Sequence, residues 1–361
     1  MLFNQYPMNR SGRGFSLVEI MIAVVVGMLG ILIIMQVFLV SEGQKRTTTG
    51  GADAQENALM AMFTLEREMR IAGLGLVGLG CTTINAYNAN MAPTTYSFNP
   101  WPVTIARDAP AAGSDRITIL YSNSAFGNIP TTLTNPAPVS SAVVNVVANG
   151  DGFVQSNLFI MSSPPLACTM LQASQDGQKT GQDWNIQHNP GGAYIYNPPG
   201  GQNIFPVGGY PAGARVTNMG SLVNHEYYVQ NNNLMMRDVN LPNSASNPVA
   251  LVNGVVSIRA QYGRDTNADG YVDVYDNTAP ATATDVVAVR LAVVSRSGQL
   301  ERDVVTPGNP AGSLVLWNGG TIVNGGALDL SAAGPLGATA QQYRYKIYQT
   351  TIPLRNVLWN N

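Results

Sequence analysis

The chain has 361 residues, of which 45% are apolar and only 11% charged, and its formal net charge is −2. This length is ample for a sizeable core in one or two domains, and the many glycines (37) and prolines (22) favour β-strands joined by turns over a helical bundle. Nucleic-acid binding has no electrostatic support, because no basic run occurs beyond the N-terminus.

The first predicted element is an apolar helix at residues 15–40, which reads FSLVEIMIAVVVGMLGILIIMQVFLV. It is long enough to span a bilayer, and Arg10 and Arg13 in the preceding leader hold that leader in the cytoplasm. The run is too long for a secretory signal, and no A-x-A site follows it. A plain membrane anchor does not explain Glu19, because a carboxylate in the bilayer costs about 2.5–3.5 kcal/mol and needs a partner.

The heptapeptide RGFSLVE, which ends at Glu19, resembles the type III signal of type IV prepilins. The resemblance implies that residues 1–14 are a leader, which starts at Met1 or at Met8. It further implies that a prepilin peptidase cuts between Gly14 and Phe15 and methylates the new amine of Phe15. Glu19 is then expected to meet the N-terminal ammonium of a neighbouring subunit. Such a pair adds little net stability, but an unpaired charge is costly, so it acts as an assembly check.

Residues 41–73 are predicted to form a second, amphipathic helical half. The face predicted to be buried carries apolar residues at three- and four-residue spacing. Its members are Leu59, Met62, Phe63 and Met69. Gly73 and Gly75 predict the end of the helix.

From residue 74 to residue 361 the helical periodicity disappears, and short apolar runs alternate with Gly, Pro, Asn and Asp. Residues 81–220 are predicted to be a loop-rich insertion. The predicted strands are Asp115–Tyr121, Ser141–Val147, His225–Val229 in a hairpin with Leu234–Arg237, Val255–Tyr262, Val286–Ser295 and Tyr343–Pro353. The predicted fold class is α+β, with a long N-terminal helix packed on a β-rich, loop-decorated domain.

The chain has two cysteines, Cys81 and Cys168. In an exported chain they most simply form one disulfide, which would contribute on the order of 4 kcal/mol in the chain-entropy model. The alternative is two unrelated buried thiols.

The sharpest local motif is a twelve-residue segment that fits the calcium-loop pattern D-x-N-x-D-G at its first six positions. The expected oxygen ligands are Asp265, Asn267, Asp269, the Tyr271 carbonyl, Asp273 and Asp276. Asp276 stands where a longer bidentate glutamate is usual. The alternative is a hairpin connection rich in Asn, Asp and Gly. Calcium is favoured because four carboxylates in twelve residues repel one another without a cation.

Catalytic motifs are missing from the sequence: it has no G-x-S-x-G, no H-E-x-x-H and no paired C-x-x-C. Its two histidines, His188 and His225, stand in polar contexts and are expected at the surface. Enzyme activity is not expected, and calcium is the one cofactor predicted.

Five later segments occur in an order that resembles the PilW family of type IV minor pilins. They are LEREMRIAGLG (65–75), YYVQNNNLMMRD (227–238), LVNGVVSIRAQYGRDTNADG (251–270), VVAVRLAVVSRS (286–297) and YRYKIYQTTIPLRN (343–356). The resemblance implies a structural subunit that helps to initiate type IV pilus assembly and is incorporated near the tip.

The partners implied are the prepilin peptidase, other minor pilins, the major pilin, the inner-membrane assembly platform and a tip adhesin. The chain is expected in the inner membrane with a cytoplasmic N-terminus, and after assembly in the periplasm and the extracellular pilus. Two alternatives stay open: a type II secretion pseudopilin of the same build, and a membrane-anchored binding or adhesion protein outside any filament.

Overall fold

The computed structural model describes residues 14–108, 113–125, 127–201, 204–239 and 248–359. One long helix, α1, spans Leu17–Ile71. The chain divides into two compact units between Ala52 and Asp53, so α1 contributes to both. The leader arginines, Arg10 and Arg13, lie outside the described residues.

The second unit is built mainly from short strands. In chain order they are β1 (Ile84–Tyr87), β2 (Thr95–Phe98), β3 (Val103–Ala106), β4 (Arg116–Ser122), β5 (Pro130–Thr132), β6 (Val143–Val146), β7 (Leu158–Ser162), β8 (Cys168–Gln172), β9 (Gln178–Thr180), β10 (Asp183–Gln187), β11 (Arg215–Gly220), β12 (Leu222–Gln230), β13 (Asn233–Asp238), β14 (Val249–Asn253), β15 (Val255–Arg264), β16 (Val274–Asp276), β17 (Val286–Arg296), β18 (Ser313–Val315), β19 (Ala327–Asp329) and β20 (Tyr345–Pro353). A short helix, α2, follows at Arg355–Leu358.

Two sheets share a core with the second half of α1. One has the strand order β14-β13-β12-β4-β3, and the other has the order β16-β15-β17-β20. Strands β15 and β17 are rich in Val, Ile and Ala and are buried along almost their whole length. Both faces of these strands are therefore covered, which explains why their sequences read as continuous apolar runs.

A second group of strands has its own cores. A six-stranded sheet has the order β2-β1-β8-β7-β11-β5, and a three-stranded sheet has the order β6-β10-β9. The segment 81–220 contains β1 to β11, and two of these strands, β3 and β4, pair into the sheet that contains β12.

The predicted fold class is confirmed: a long N-terminal helix is followed by a β-rich unit. The predicted hairpin is also confirmed, because β12 and β13 pair in antiparallel register with Gln230 opposite Asn233. Its two loop residues, Asn231 and Asn232, both have positive φ (52° and 59°). Asparagine tolerates this conformation, which two-residue hairpin loops of type I′ require.

Candidate functional site

The predicted cleavage point lies just before the long helix. Gly14, Phe15 and Ser16 have no regular secondary structure, and α1 begins at Leu17. The Gly14–Phe15 bond is therefore in non-helical backbone, and cutting it does not require any turn of α1 to unwind.

Glu19 caps the start of its own helix. The backbone N–H of Ser16 donates to Glu19 Oε2 at 2.9 Å, and the backbone N–H of Glu19 donates to Ser16 Oγ at 3.2 Å. This reciprocal pair is a capping box, and it satisfies two of the N–H groups that a helix start leaves without partners. The S-x-x-E spacing could have indicated this partner, but the sequence interpretation above missed it. The role of Glu19 in assembly stays a prediction.

The apolar part of α1 presents its side chains outward. Every residue from Phe15 to Val40 is exposed except the half-buried Gly30. Within the described part of the chain, α1 alone is long and apolar enough to cross a membrane. Burial of one large apolar side chain is worth about 1.5–3 kcal/mol. The segment therefore fits the interior of a bilayer or a surface of other apolar helices.

The second half of α1 buries a different face from the predicted one. Met62 and Met69 are buried, as expected, but Leu59 and Phe63 are exposed by 46% and 67%. The buried face is completed mainly by alanines, and its members are Ala54, Ala58, Ala61, Met62, Leu65, Met69 and Ala72. The prediction counted large side chains only and so placed Leu59 and Phe63 on the wrong face.

Substitutions on the two faces should change the stability by unequal amounts. Ala61→Leu is expected to lower the free energy of unfolding by about 1–3 kcal/mol, because Ala61 is fully buried and a larger side chain overpacks the core. Phe63→Ser is expected to change it by less than about 0.5 kcal/mol, because Phe63 is exposed. Urea unfolding of the full chain in detergent, followed by tryptophan fluorescence, measures both. Equal losses would contradict this assignment of the faces.

A buried carboxylate ties α1 to the sheet that contains β4 and β12. Tyr121 Oη donates to Glu68 Oε2 at 3.0 Å, and His225 Nδ1 lies 3.2 Å from the same oxygen. Burial acts to raise the pKa of Glu68, but the hydrogen bonds from His225 and Tyr121 outweigh it and leave that pKa below its ordinary value. Glu68 therefore stays charged and holds the helix in one register on the sheet.

A second buried network joins the two large sheets. Arg259 on β15 places Nη1 2.6 Å from Asp115 Oδ1, just before β4, and 2.8 Å from Asp108 Oδ1. Asp115 Oδ2 also accepts the backbone N–H of Ala260 at 3.0 Å, and Arg107 Nε lies 3.2 Å from Asp115 Oδ1. Asp115 is fully buried. The two carboxylate oxygens of Asp115 thus connect the segment before β4 with Arg259 and Ala260 on β15 of the neighbouring sheet.

The predicted disulfide is confirmed: Cys81 and Cys168 are bonded. Cys168 begins β8, which pairs in parallel with β1, and Ile84 of β1 lies opposite Cys168. The bond therefore fastens the chain that follows α1 to the six-stranded sheet.

The predicted calcium loop forms a tight turn between β15 and β16. Asp265 accepts backbone N–H groups from Ala268 and Gly270 at 2.7 Å and, at longer distances, from Asn267 and Asp269. Burial acts to raise the pKa of Asp265, but these backbone donors lower it below its ordinary value. Gly270 has φ of +85°, which agrees with the sharp turn that a calcium loop makes at its sixth position.

The remaining carboxylates of this turn already accept hydrogen bonds from other groups, and Asp269 Oδ1 accepts the backbone N–H of Tyr271 at 2.9 Å. Asp273 Oδ2 accepts the backbone N–H and hydroxyl of Thr266 at 2.7 and 2.6 Å, and Asp276 pairs with Arg264 at 2.6 Å. Over the described residues, no group of three or more His, Cys, Asp or Glu side chains is placed to hold a metal ion. The turn backbone therefore fits a calcium loop, but its carboxylates are not gathered around one point. Calcium binding stays a prediction.

Ala268 carries backbone strain in this turn, since it has φ of +61°. A residue with a Cβ in the left-handed region costs about 1 kcal/mol or more relative to glycine. Ala268→Gly is therefore expected to raise the free energy of unfolding by roughly 0.5–1 kcal/mol, with part of the gain offset by the greater freedom of the unfolded chain. Urea unfolding tests this, and a loss of stability would mean that the turn adopts another conformation.

Neither histidine is a surface residue, so the expectation above is wrong for both. His225 on β12 is half-buried beside Glu68, and His188 is only 4% exposed. The ring of His188 contacts those of Phe159 and Phe205, with centroids 6.2 and 6.4 Å away. These neighbours are distant in sequence or separated by polar loops, so no local pattern signals the burial of His188.

Two family models match parts of the sequence. The model of the Prokaryotic N-terminal methylation motif matches residues 9–35, and the model of Type IV Pilus-assembly protein W (PilW) matches residues 226–356. Among curated proteins, none matches the sequence significantly. A solved structure, the type IV-like pilin TTHA1219 from Thermus thermophilus, is 11% identical over 84% of this chain and 97% of that chain, with a TM-score of 0.35.

An N-terminal methylation motif on an exposed apolar helix, followed by a β-rich unit, defines a type IV pilin-like protein. The PilW model matches the part of the chain from β12 to α2, so this part of the chain is similar to the PilW family. This family is one of structural pilins. The match confirms the resemblance for the four segments between residues 227 and 356, while the segment 65–75 lies outside it.

Proposed function

We propose that this chain is a minor pilin that helps to initiate type IV pilus assembly and is incorporated near the tip. The observation that carries the proposal is the presence, on one chain, of a methylation motif with an exposed apolar helix and of a PilW domain. The apolar helix supplies a surface that other pilin helices can cover in a filament, and the β-rich unit supplies the part that faces outward.

Processing follows the prepilin route in this proposal. A prepilin peptidase cuts the Gly14–Phe15 bond and methylates the amine of Phe15. The partners are then the major pilin, other minor pilins, the inner-membrane assembly platform and a tip adhesin. In the filament, the ammonium of a neighbouring subunit replaces the backbone N–H of Ser16 as partner of Glu19. This exchange is favoured because a charged partner makes the stronger hydrogen bond in a low-dielectric core.

Three variants test the proposal and separate the two roles of Glu19. Glu19→Ala is expected to lower the number of pili per cell at least tenfold, while the amount of the protein in the inner membrane stays unchanged. Ser16→Ala removes the half of the capping box in which Ser16 Oγ accepts from the backbone N–H of Glu19, but it keeps the carboxylate, and it is expected to leave most pili in place. Glu42→Ala, which removes a carboxylate of the same helix whose side chain is 40% exposed, serves as the matched control. Electron microscopy and membrane fractionation give the two readouts.

Normal piliation in Glu19→Ala cells would overturn the filament role and favour a membrane-anchored binding protein. An equal loss of pili in Ser16→Ala cells would show that Glu19 acts through helix capping and not through a partner subunit. A loss of protein secretion without any effect on pili, in either variant, would instead indicate a type II secretion pseudopilin.

We also propose that the turn of residues 265–276 binds calcium. The proposal is supported by the agreement of Gly270 with the sixth loop position and by the density of carboxylates in the turn. Binding requires Asp269 and Asp273 to exchange hydrogen bonds within the turn for the ion. Calorimetry with calcium on the full chain in detergent should show heat that Asp269→Ala abolishes and that Asp303→Ala, at an exposed site elsewhere, leaves unchanged. No heat with the unchanged chain refutes the proposal.

A further inference from the structure

Strand β20 forms one edge of the sheet that has the order β16-β15-β17-β20. It has nine residues, whereas the other edge strands in the described part of the chain have three to five. Its pairing with β17 has no bulge, and Lys346 is its one charged residue. Natural proteins usually shorten, bend or charge such an edge, because an unpaired edge attracts other strands. A long and regular edge therefore indicates a docking surface.

The outer backbone groups of β20 have no strand to pair with. Just beyond β20, the backbone N–H of Leu354 donates to Val287 O at 2.9 Å. Hydrogen-bonded pairs recur at every second residue of an antiparallel ladder, so the even-numbered residues of β20 bond to β17. Ile347, Gln349 and Thr351 therefore direct their N–H and C=O groups away from β17. Among the strands that the structure describes, β17 is the only neighbour of β20.

The second half of α1 adds an apolar side chain beside this edge. Tyr348 of β20 packs against the core cluster that contains Met62 of α1. Leu59 and Glu68 are about two and a half helical turns apart, so they lie on opposite flanks of α1. Glu68 contacts β4 and β12, so Leu59, which is 46% exposed, lies on the flank where β20 is the outermost strand. A strand added to β20 can cover Leu59 with those side chains that point towards α1.

The charges at the two ends of the edge define the partner further. Lys346 and Arg355 are both exposed, and neither forms an ion pair with another residue of the described ranges. The outward N–H and C=O groups between them are best matched by the backbone of another extended segment. Because opposite charges favour neighbouring strands, the matching segment has a carboxylate at each end and uncharged side chains between them.

A second copy of β20 does not suit this edge. Lys346 lies opposite Ser295, whose Oγ donates to Ala54 O near the start of the second half of α1. At the other end, Asn356 Nδ2 donates to Ile71 O at 3.2 Å, so β20 and this half of α1 run in the same direction. Antiparallel pairing of two β20 strands would point the two helices in opposite directions, although one membrane would have to hold both apolar halves. Parallel pairing would set the two copies of Lys346 side by side, and like charges destabilise neighbouring strands.

We infer that the free edge of β20 binds an extended segment of a different polypeptide. The segment is about as long as β20, has an acidic residue at each end and carries uncharged side chains between them, with apolar ones on the face towards α1. It pairs with Ile347, Gln349 and Thr351 and so adds a fifth strand to the sheet. The inference does not depend on membership of a filament.

Amide NMR of the deuterated full chain in detergent tests the inference. The probe is Ac-Glu-Thr-Val-Thr-Val-Thr-Val-Glu-NH2, and the titration is expected to give a dissociation constant below about 1 mM. The same peptide N-methylated at its six central residues cannot donate to β20 and is expected to bind at least tenfold more weakly. Equal binding of the two peptides, or no binding of the first, overturns the inference.

Hydrogen exchange on the same sample shows where the peptide lies. Without peptide, the amides of Ile347, Gln349 and Thr351 are expected to exchange fast, whereas that of Tyr348, which bonds to β17, exchanges slowly. The peptide is expected to slow the first three at least tenfold. Slow exchange of these three amides before any peptide is added would mean that the edge is already covered, and it would refute the assignment.

Proline substitutions locate the binding on the backbone. Gln349→Pro removes an outward N–H but no bond to β17, so it is expected to weaken peptide binding at least tenfold and to leave the urea midpoint almost unchanged. Gln349→Thr keeps that N–H and, as the matched control, leaves binding unchanged. Thr350→Pro removes a donor to β17 and is expected to lower the urea midpoint. Peptide binding that survives Gln349→Pro, or equal losses of stability for the two proline variants, contradicts the inference.

Discussion

Asp115→Ala should lower the free energy of unfolding of the β-rich unit by about 3–5 kcal/mol. Asp115 is fully buried, and its removal leaves Arg259, itself only 4% exposed, with Asp108 as its remaining acidic neighbour. The backbone N–H of Ala260 also loses its acceptor. A buried charge and a buried donor are both costly when they lose a partner.

The charge of Arg259, and not the lost volume of Asp115, should account for most of this effect. Replacement of a whole buried ion pair by apolar residues is often close to neutral, whereas removal of one partner is strongly destabilising. We therefore expect the double variant Asp115→Ala/Arg259→Met to be more stable than Asp115→Ala alone. Such a recovery cannot arise from two independent losses, because the two side chains are in contact.

Urea unfolding of the full chain in detergent, followed by tryptophan fluorescence, provides the measurement. Asp303→Ala is the matched control, since Asp303 is exposed, and it should change the free energy of unfolding by less than about 0.5 kcal/mol. A loss below about 1 kcal/mol for Asp115→Ala would show that the network does not join the two sheets in solution. A double variant less stable than the single variant would show that Arg259 stabilises through other contacts.

The elements that sequence reasoning found are those with a strong local signal. The β12–β13 hairpin is marked by alternating strands around an asparagine-rich loop, and β15 and β17 by dense β-branched runs. Strands such as β1, β5 and β9 have three or four residues and no distinctive composition. Their pairing is set by long-range contacts, which a local window does not contain.

Helix α1 shows a different limit of prediction from the sequence. Periodicity correctly predicted an amphipathic second half, but it cannot say which of two apolar stripes is covered. Ala54, Ala58 and Ala61 are all fully buried, and Ser295 Oγ on β17 donates to Ala54 O, so the covered face runs along these alanines. Leu59 and Phe63 then remain outside it. Small residues carry little weight in a hydrophobicity pattern, although they determine the distance between packed elements.

The candidate sites also divide into those that have a local sequence signal and those that have none. Gly14, Phe15 and Glu19 form one short motif, and Cys81 and Cys168 are the chain's two cysteines, so both could be proposed from sequence. Glu68 and its partner Tyr121 are 53 positions apart in the sequence, and Asp115 and its partner Arg259 are 144 positions apart. No sequence spacing indicates such contacts, because the topology of the sheets creates them.

His188 should make the stability of the β-rich unit depend on pH. Burial lowers the pKa of His188 from its ordinary value of 6.5 to about 4, and the rings of Phe159 and Phe205 beside it offer no charge to a protonated imidazole. Between pH 6.5 and pH 4 the unfolded chain therefore binds a proton that the folded chain does not. Stability falls as the pH falls through this window, and the contribution of His188 levels off below pH 4.

A shift of this size corresponds to a loss on the order of 3 kcal/mol between pH 7 and pH 4. Other groups also respond to acid: Glu68, Asp265 and Asp273 have lowered pKa values, and their contributions are lost as they become protonated. The comparison of the unchanged chain with His188→Phe removes these shared contributions, because the phenyl ring introduced by that substitution cannot bind a proton. Urea midpoints measured from pH 7 to pH 4 should therefore fall more steeply in the unchanged chain. Parallel curves for the two proteins would mean that the imidazole of His188 is protonated as readily in the folded chain as in the unfolded chain.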